Sequence, residues 1–244
     1  MKERIDILMV QRNLVPSREK AQAYIMAGSV LVDGKIELKA GTKYDEAVEI
    51  SLLEDPIKYV SRGGLKLEAA LDNWEIDLQD KITVDIGAST GGFTDLMLSR
   101  GASKVYAIDV GYGQLDYKLR IDPRVVNMER INVRYLDTAL IEDDIDFISI
   151  DVSFISLSKI LPVAIQLLSK SGIIIALVKP QFEAEKNQVG KGGIIRDPKI
   201  HKMTIEKVQT YAEDNGLIPE AFIESPITGT KGNIEFLMKM TKKQ

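Results

Sequence analysis

Val84-Asp85-Ile86-Gly87-Ala88-Ser89-Thr90-Gly91-Gly92-Phe93-Thr94-Asp95 reads as a short buried strand, a glycine-rich turn and the start of a helix. Gly87 and the Gly91-Gly92 pair let the backbone turn sharply and approach a ligand that a Cβ would keep away. Such a turn presents free N–H groups at a helix N-terminus, where electronegative groups are favoured. In an α/β sheet, small molecules bind beyond the carboxyl ends of the strands. The pattern is Asp-x-Gly-x-x-x-Gly-Gly, not Gly-x-Gly-x-x-Gly, which points away from a nicotinamide cofactor. Ala107-Ile108-Asp109 closes a second apolar strand, and an acid there can take two ribose hydroxyls. Turn and acid together fit S-adenosylmethionine; the alternative is an ordinary strand-to-helix turn. The expected cofactor set is Asp85, Gly87, Ser89, Gly91, Gly92, Phe93 and Asp109, with Asp85 and Ser89 placed to meet the methionine end. Valine at Gly91 should block the ligand while sparing the fold.

Outward from this turn, apolar runs place strands near 82–86, 104–109, 124–128, 145–151, 172–178, 218–224 and 234–240, with helices between most of them. Alternating βα units imply a mostly parallel sheet covered on both faces. Leu67, Ala70, Leu71 and Trp74 recur at i, i+3, i+4 and i+7, one face of a helix. Lys66 lies off that face in the first turn, where a cation is unfavourable unless something uses it. Leu157–Leu168 and Ile200–Ala212 have helical spacing. Residues 180–198 show three glycines and no periodicity, as in a long loop that is functional or disordered.

The chain of 244 residues suggests one or two domains, and 45% hydrophobic content is ample for a core. No apolar run approaches the ~20 residues needed to span a membrane. The N-terminus lacks a signal-peptide core, so a cytoplasmic location is expected. Without cysteine there is no disulfide, no thiolate zinc site and no Cys-nucleophile chemistry; no metal is expected. The single histidine, His201, sits in a polar helix-like run and is expected to be solvated. A net charge of −4 confines any RNA surface to a local patch.

Residues 1–55 read as a small α+β module and 56–64 as a linker, with the larger domain at 65–244. Ile5, Leu8 and Met9 mark one helical face. Ser17 caps a second helix that Gly28 stops. Val30 and Val32 alternate before the tight-turn pair Asp33-Gly34, Ile36 follows, and a last strand is expected near Val48–Ile50. Arg4-Ile5-Asp6, Leu14-Val15-Pro16-Ser17-Arg18 and Ala27-Gly28-Ser29-Val30-Leu31-Val32-Asp33-Gly34 resemble the S4 RNA-binding domain. The resemblance implies a basic face of Arg4, Arg12, Arg18, Lys20 and Lys35, set for phosphates. Residues 1–43 hold eight Lys/Arg against five Asp/Glu.

Asp151 ends the fourth strand and Lys179 the fifth, so parallel neighbours would set them side by side at the ligand edge. Glu235 lies at the start of the last strand. Lys66, Asp151, Lys179 and Glu235 resemble the Lys-Asp-Lys-Glu tetrad of FtsJ-type ribose 2′-O-methyltransferases. With Ser61-Arg62-Gly63-Gly64, Asp151-Val152-Ser153-Phe154, Val178-Lys179-Pro180-Gln181-Phe182-Glu183 and Gly232-Asn233-Ile234-Glu235, nearly the whole chain resembles the TlyA family of rRNA 2′-O-methyltransferases, often labelled hemolysin A. The resemblance implies a Rossmann-like seven-stranded domain, a cytidine ribose in ribosomal RNA as target, and Asn132 against the adenine; Asn132 is equally well a plain turn residue. Lys179 would contact the 2′-hydroxyl as base or electrostatic stabiliser. Lys66 would orient the ribose, and Asp151 and Glu235 would hold the ammonium groups. Asp151-Val152-Ser153-Phe154 lacks the prolines of amine methyltransferases, which favours oxygen over nitrogen. Two other classes compete: a membrane-active protein, and an RNA-binding protein with a non-catalytic α/β domain.

Overall fold

The computed structural model describes residues 2–26, 28–52, 58–229 and 232–243. Ala27 of the S4-like motif, the Pro56-Ile57 start of the expected linker and the boundary expected at residue 55 lie outside the described residues. The chain divides into two compact units, Met1–Lys58 and Tyr59–Gln244.

In the first unit, β1 (Lys2–Arg4) leads into α1 (Ile5–Gln11), followed by α2 (Arg18–Met26). The Ser17 hydroxyl accepts the Lys20 N–H at 3.3 Å, the capping role expected of it. Then come β2 (Val30–Val32), β3 (Lys35–Ile36), β4 (Lys43–Asp45) and β5 (Ile50–Leu52). β1 pairs with β4, while β3, β2 and β5 form a three-stranded sheet. Ile5, Met9, Ala21, Ile25, Val30 and Val32 pack as the core. Val48 is not in a strand as expected: its N–H closes a turn on the Asp45 carbonyl, and β5 starts at Ile50.

The second unit runs α3 (Gly63–Asn73), β6 (Ile82–Ile86), α4 (Gly92–Ser99), β7 (Lys104–Asp109), α5 (Tyr117–Arg120), β8 (Val125–Glu129) and β9 (Ile145–Ile150). It continues through α6 (Leu161–Leu167), β10 (Leu168–Val178), α7 (Pro180–Glu183), α8 (Pro198–Asp214), β11 (Leu217–Glu224) and β12 (Phe236–Lys242). The seven strands lie in the order β11-β12-β10-β9-β6-β7-β8. β6 to β10 are parallel, and β12 runs antiparallel between β10 and β11. Alternate residues of one strand feed opposite cores: Ile174, Ala176 and Val178 one, Ile175 and Leu177 the other.

Three expectations need correction. Residues 59–64 belong to the second unit. Tyr59 is buried and donates its hydroxyl to Glu68 at 2.8 Å, while the Val60 N–H reaches the Asp95 carboxylate at 2.8 Å. His201 is not solvated. It shares the buried face of α8 with Thr204, Ile205 and Val208, and its ring meets Phe236 edge-on at 5.7 Å. Residues 180–198 are a loop only in their second half: α7 and a 3₁₀ turn at Lys186–Gln188 shape the first part, while 189–197 hold neither helix nor strand. No helix among the described residues is long and apolar enough to cross a membrane.

Candidate active site

Strand order reverses between β6 and β9, where an α/β sheet leaves a crevice at its carboxyl edge. A cleft of about 440 Å³ opens there, lined by Gly87, Ser89, Asp109, Asn132, Asp151 and Phe154 among others. Asp109 ends β7, and its carboxylate accepts N–H groups from Ser89 at 2.8 Å and Gly111 at 2.6 Å. A carboxylate has about four lone-pair sites, so two remain for a ribose diol. Asn132 serves as a turn residue, capping Val133–Tyr135 through the Arg134 N–H at 3.2 Å, and it also lines the cleft.

Gly87 lines the cleft; its φ is +89° and a Cβ there would lie 2.4 Å from the Asp151 carbonyl. Gly91 and Gly92 are also constrained by packing, and Gly92 lines a smaller recess with Gly87, Ser89, Phe93 and Asp151. A Cβ on Gly92 would lie 2.3 Å from Ser61 Oγ, and one on Gly91 2.2 Å from Leu119 Cδ1. With φ +95° at Gly91, a valine there would strain the turn and disturb Leu119, so it would not spare the fold. Phe93, 4% exposed, packs in the core and also lines that recess. Asp85 does not meet a ligand: it is wholly buried and accepts hydroxyls from Thr94 at 2.7 Å and Ser149 at 3.2 Å. It is a strut tying β6 to α4 and β9. Burial pushes its carboxyl up to about 7. The remaining wall, with Ile108 and Val133, is apolar and suits an adenine ring. S-adenosylmethionine therefore fits the donor set.

Asp151 follows β9 and Lys179 follows β10. Val178 pairs with Phe236 across β10 and β12, which brings Lys179 and Glu235 to the same edge. Lys179 Nζ lies 2.6 Å from Asp151 Oδ1, an ion pair without an aligned hydrogen bond, and donates to Ser153 Oγ at 3.0 Å. Lys66 Nζ donates to Glu235 Oε2 at 2.6 Å. All four side chains are at most 22% exposed, and the two lysines 10–11%. Lys66 stands unfavourably in the first turn of α3 because Glu235 holds it there. Chemically, the edge offers two anchored ammonium groups beside a cleft ending in a glycine turn.

Two residues at this edge drew no role from the sequence, although their motif was quoted. Ser153 is the second partner of Lys179. Phe154 is 91% exposed with φ +63°, its ring 5.1 Å from that of Phe182. A bulky residue in the left-handed region costs of order 1–3 kcal/mol and is a mark of functional sites.

In the first unit, the expected phosphate contacts divide. Arg4 grips Asp6 with two bonds of 2.9 Å, and Arg18 and Gln22 each add one at 3.0 Å. Asp6 is wholly buried, and the Arg4 bonds lead in holding its carboxyl far below the usual range. Arg12 donates to the carbonyls of Val48 and Glu46 and clasps that turn. Lys20 and Lys35 are exposed.

A sequence model of the FtsJ-like methyltransferase family matches residues 59–242, and one of the S4 domain matches residues 3–50. The chain is 50% identical over 240 residues to "Putative rRNA methyltransferase YqxC" of Bacillus subtilis, covering 98% of this chain and 85% of that one. It is 41% identical over 236 residues to "16S/23S rRNA (cytidine-2'-O)-methyltransferase TlyA" of Mycobacterium tuberculosis, covering 96% and 88%. A solved structure, "Putative hemolysin from Streptococcus thermophilus", superposes with TM-score 0.79 at 47% identity, over 100% of this chain and 89% of that one. The seven-stranded order, the glycine turn and these matches agree: the chain belongs to the FtsJ-like methyltransferase family, in the S4-bearing group that includes TlyA.

Proposed function

We propose that this protein transfers a methyl group from S-adenosylmethionine to the 2′-hydroxyl of a cytidine in ribosomal RNA. The observation that carries the reading is the Lys179–Asp151 ion pair at the cleft edge, beside Lys66–Glu235. The cofactor supplies an electrophilic methyl on a sulfonium; Asp109 would hold its ribose and the Gly87 turn its methionine end. A ribose hydroxyl is a poor nucleophile and must lose its proton as it attacks. Lys179 meets that hydroxyl, accepting the proton if neutral or stabilising the developing oxyanion as a cation. Asp151 and Ser153 fix its Nζ, and Lys66, anchored by Glu235, orients the ribose. General-base help of this kind is worth about 10²–10⁴-fold. The first unit holds the RNA through its basic side chains, Lys20 and Lys35 foremost. Lys179→Arg separates the two roles, because a guanidinium stays protonated. Methyl transfer abolished in Lys179→Arg supports a base; partial activity supports an electrostatic role. Full activity in Lys179→Ala refutes both.

A further inference from the structure

Glu183 is a buried carboxylate that the chemistry above does not use. It is 3% exposed, and burial raises its carboxyl above the usual range. It ends α7, the turn that begins directly after Lys179. Its Oε1 accepts the Leu157 N–H at 2.8 Å and its Oε2 accepts the Ser156 hydroxyl at 2.7 Å. The Lys207 ammonium donates to the Glu183 backbone carbonyl at 2.8 Å, so the carboxylate itself is left to the 156–157 turn.

These bonds are the last of three rungs between two segments. Ser153 meets Lys179 at 3.0 Å, Phe154 meets Phe182 at 5.1 Å between ring centres, and Ser156 and Leu157 meet Glu183. Segment 153–157 contains Phe154 at φ +63°, a conformation that persists only where both sides are held. Ser153 and the backbone around it would otherwise relax, and the Ser153 hydroxyl would leave the Lys179 ammonium. A buried, charged acceptor bonded to a backbone N–H and a hydroxyl is among the stronger devices for preventing that.

We infer that Glu183 is a positioning residue for methyl transfer: its carboxylate clamps the 153–157 segment so that Ser153 keeps Lys179 Nζ aimed at the substrate hydroxyl. This rests on the proposed function for its activity readout, but the clamp itself can be tested without activity. A displacement of about 1 Å at a reacting group can cost ~10²-fold in rate. Glu183→Gln keeps the shape and one acceptor but loses the charge, and Ser153→Ala removes the contact with Lys179.

The experiment is a double-mutant cycle on the full-length protein, read as single-turnover methyl transfer to an rRNA fragment. S-adenosylmethionine affinity and RNA KM are measured alongside, and thermal melting confirms each variant is folded. Each single variant should lower the transfer rate by between about 10- and 100-fold with cofactor affinity and KM unchanged. The double variant should be no worse than the poorer single, because Glu183 acts through Ser153. Ser153→Thr, which keeps the hydroxyl, should recover most of the rate. Multiplying effects, or a Glu183→Gln rate equal to wild type, overturn the inference. Hydrogen exchange supplies the readout that needs no catalysis: the Leu157 amide should exchange faster in Glu183→Gln and not in Ser153→Ala. Unchanged exchange there overturns the clamp. A wild-type protein that transfers no methyl refutes the proposed function while leaving the clamp to be judged by exchange alone.

Discussion

Both units bind cations to carboxylates, but in opposite ways. In the first, one wholly buried acid, Asp6, gathers two arginines whose side chains remain 38% and 50% exposed. In the second, two lysines at 10–11% exposure each have an acid of their own, Asp151 or Glu235. The first arrangement pins charge to a surface from beneath, leaving part of each guanidinium open to water. The second takes charge out of water, where its effect on a reacting group is far larger.

Glu235 is where the enclosed pairs are most vulnerable. Replacing it by Ala should strand the Lys66 ammonium in the interior, a change that costs about 3–5 kcal/mol where a buried pair loses one partner. Denaturant unfolding should show that loss, and methyl transfer should fall with it. A variant as stable as wild type would mean the pair is not buried in solution.

Acidity sharpens the contrast. Asp6 has a depressed carboxyl, so its contribution is present above the unfolded carboxylate pKa of ~3.9 and is lost as pH falls further. Asp85 does the reverse. Raised to about 7, it keeps its proton where the unfolded chain has lost it, so stability should fall as pH climbs from ~4 toward 7. Asp85→Asn should flatten that slope in denaturant titrations across the window, and Asp6→Asn should remove acid lability from the first unit only. An unaltered slope in Asp85→Asn would show that the carboxyl ionises normally.

The smallest effects belong to the displayed lysines. Lys20→Ala and Lys35→Ala should each reduce the slope of log affinity for RNA against log salt by about one, with little change in melting. Arg12→Ala should do the opposite, loosening the 46–48 turn that it clasps. If Lys20→Ala leaves the salt slope intact, the RNA lies elsewhere on the protein.

The strands of the large sheet were legible because four of its five parallel strands, β6, β7, β9 and β10, are mostly buried and leave apolar runs; β8 lies at the edge and is half exposed. Asp109, Lys179 and Asp151 were legible for the same reason, since a charge ending an apolar run stands out. That Asp151 and Glu235 hold the ammonium groups came only from the family resemblance. No local pattern shows that Glu235 reaches Lys66 or that Asp6 draws in Arg4 and Arg18. Sequence does not show that Leu119 packs on Gly91 or that Ser61 packs on Gly92. Asp85 looked like a ligand contact because its two hydroxyl partners come from α4 and β9. β1 and β4 were missed because three-residue strands carry too little alternation to register.

Isotope transfer shows whether the enclosed Lys179 acts on a ribose hydroxyl. Purified wild type and Lys179→Ala would be given methyl-labelled S-adenosylmethionine and ribosomal subunits, and the digested RNA would be resolved into nucleosides. Label should appear in a 2′-O-methylcytidine with wild type, and Lys179→Ala should lose about 10²–10⁴-fold at unchanged cofactor affinity. Label on a base, or comparable transfer by Lys179→Ala, would contradict that role.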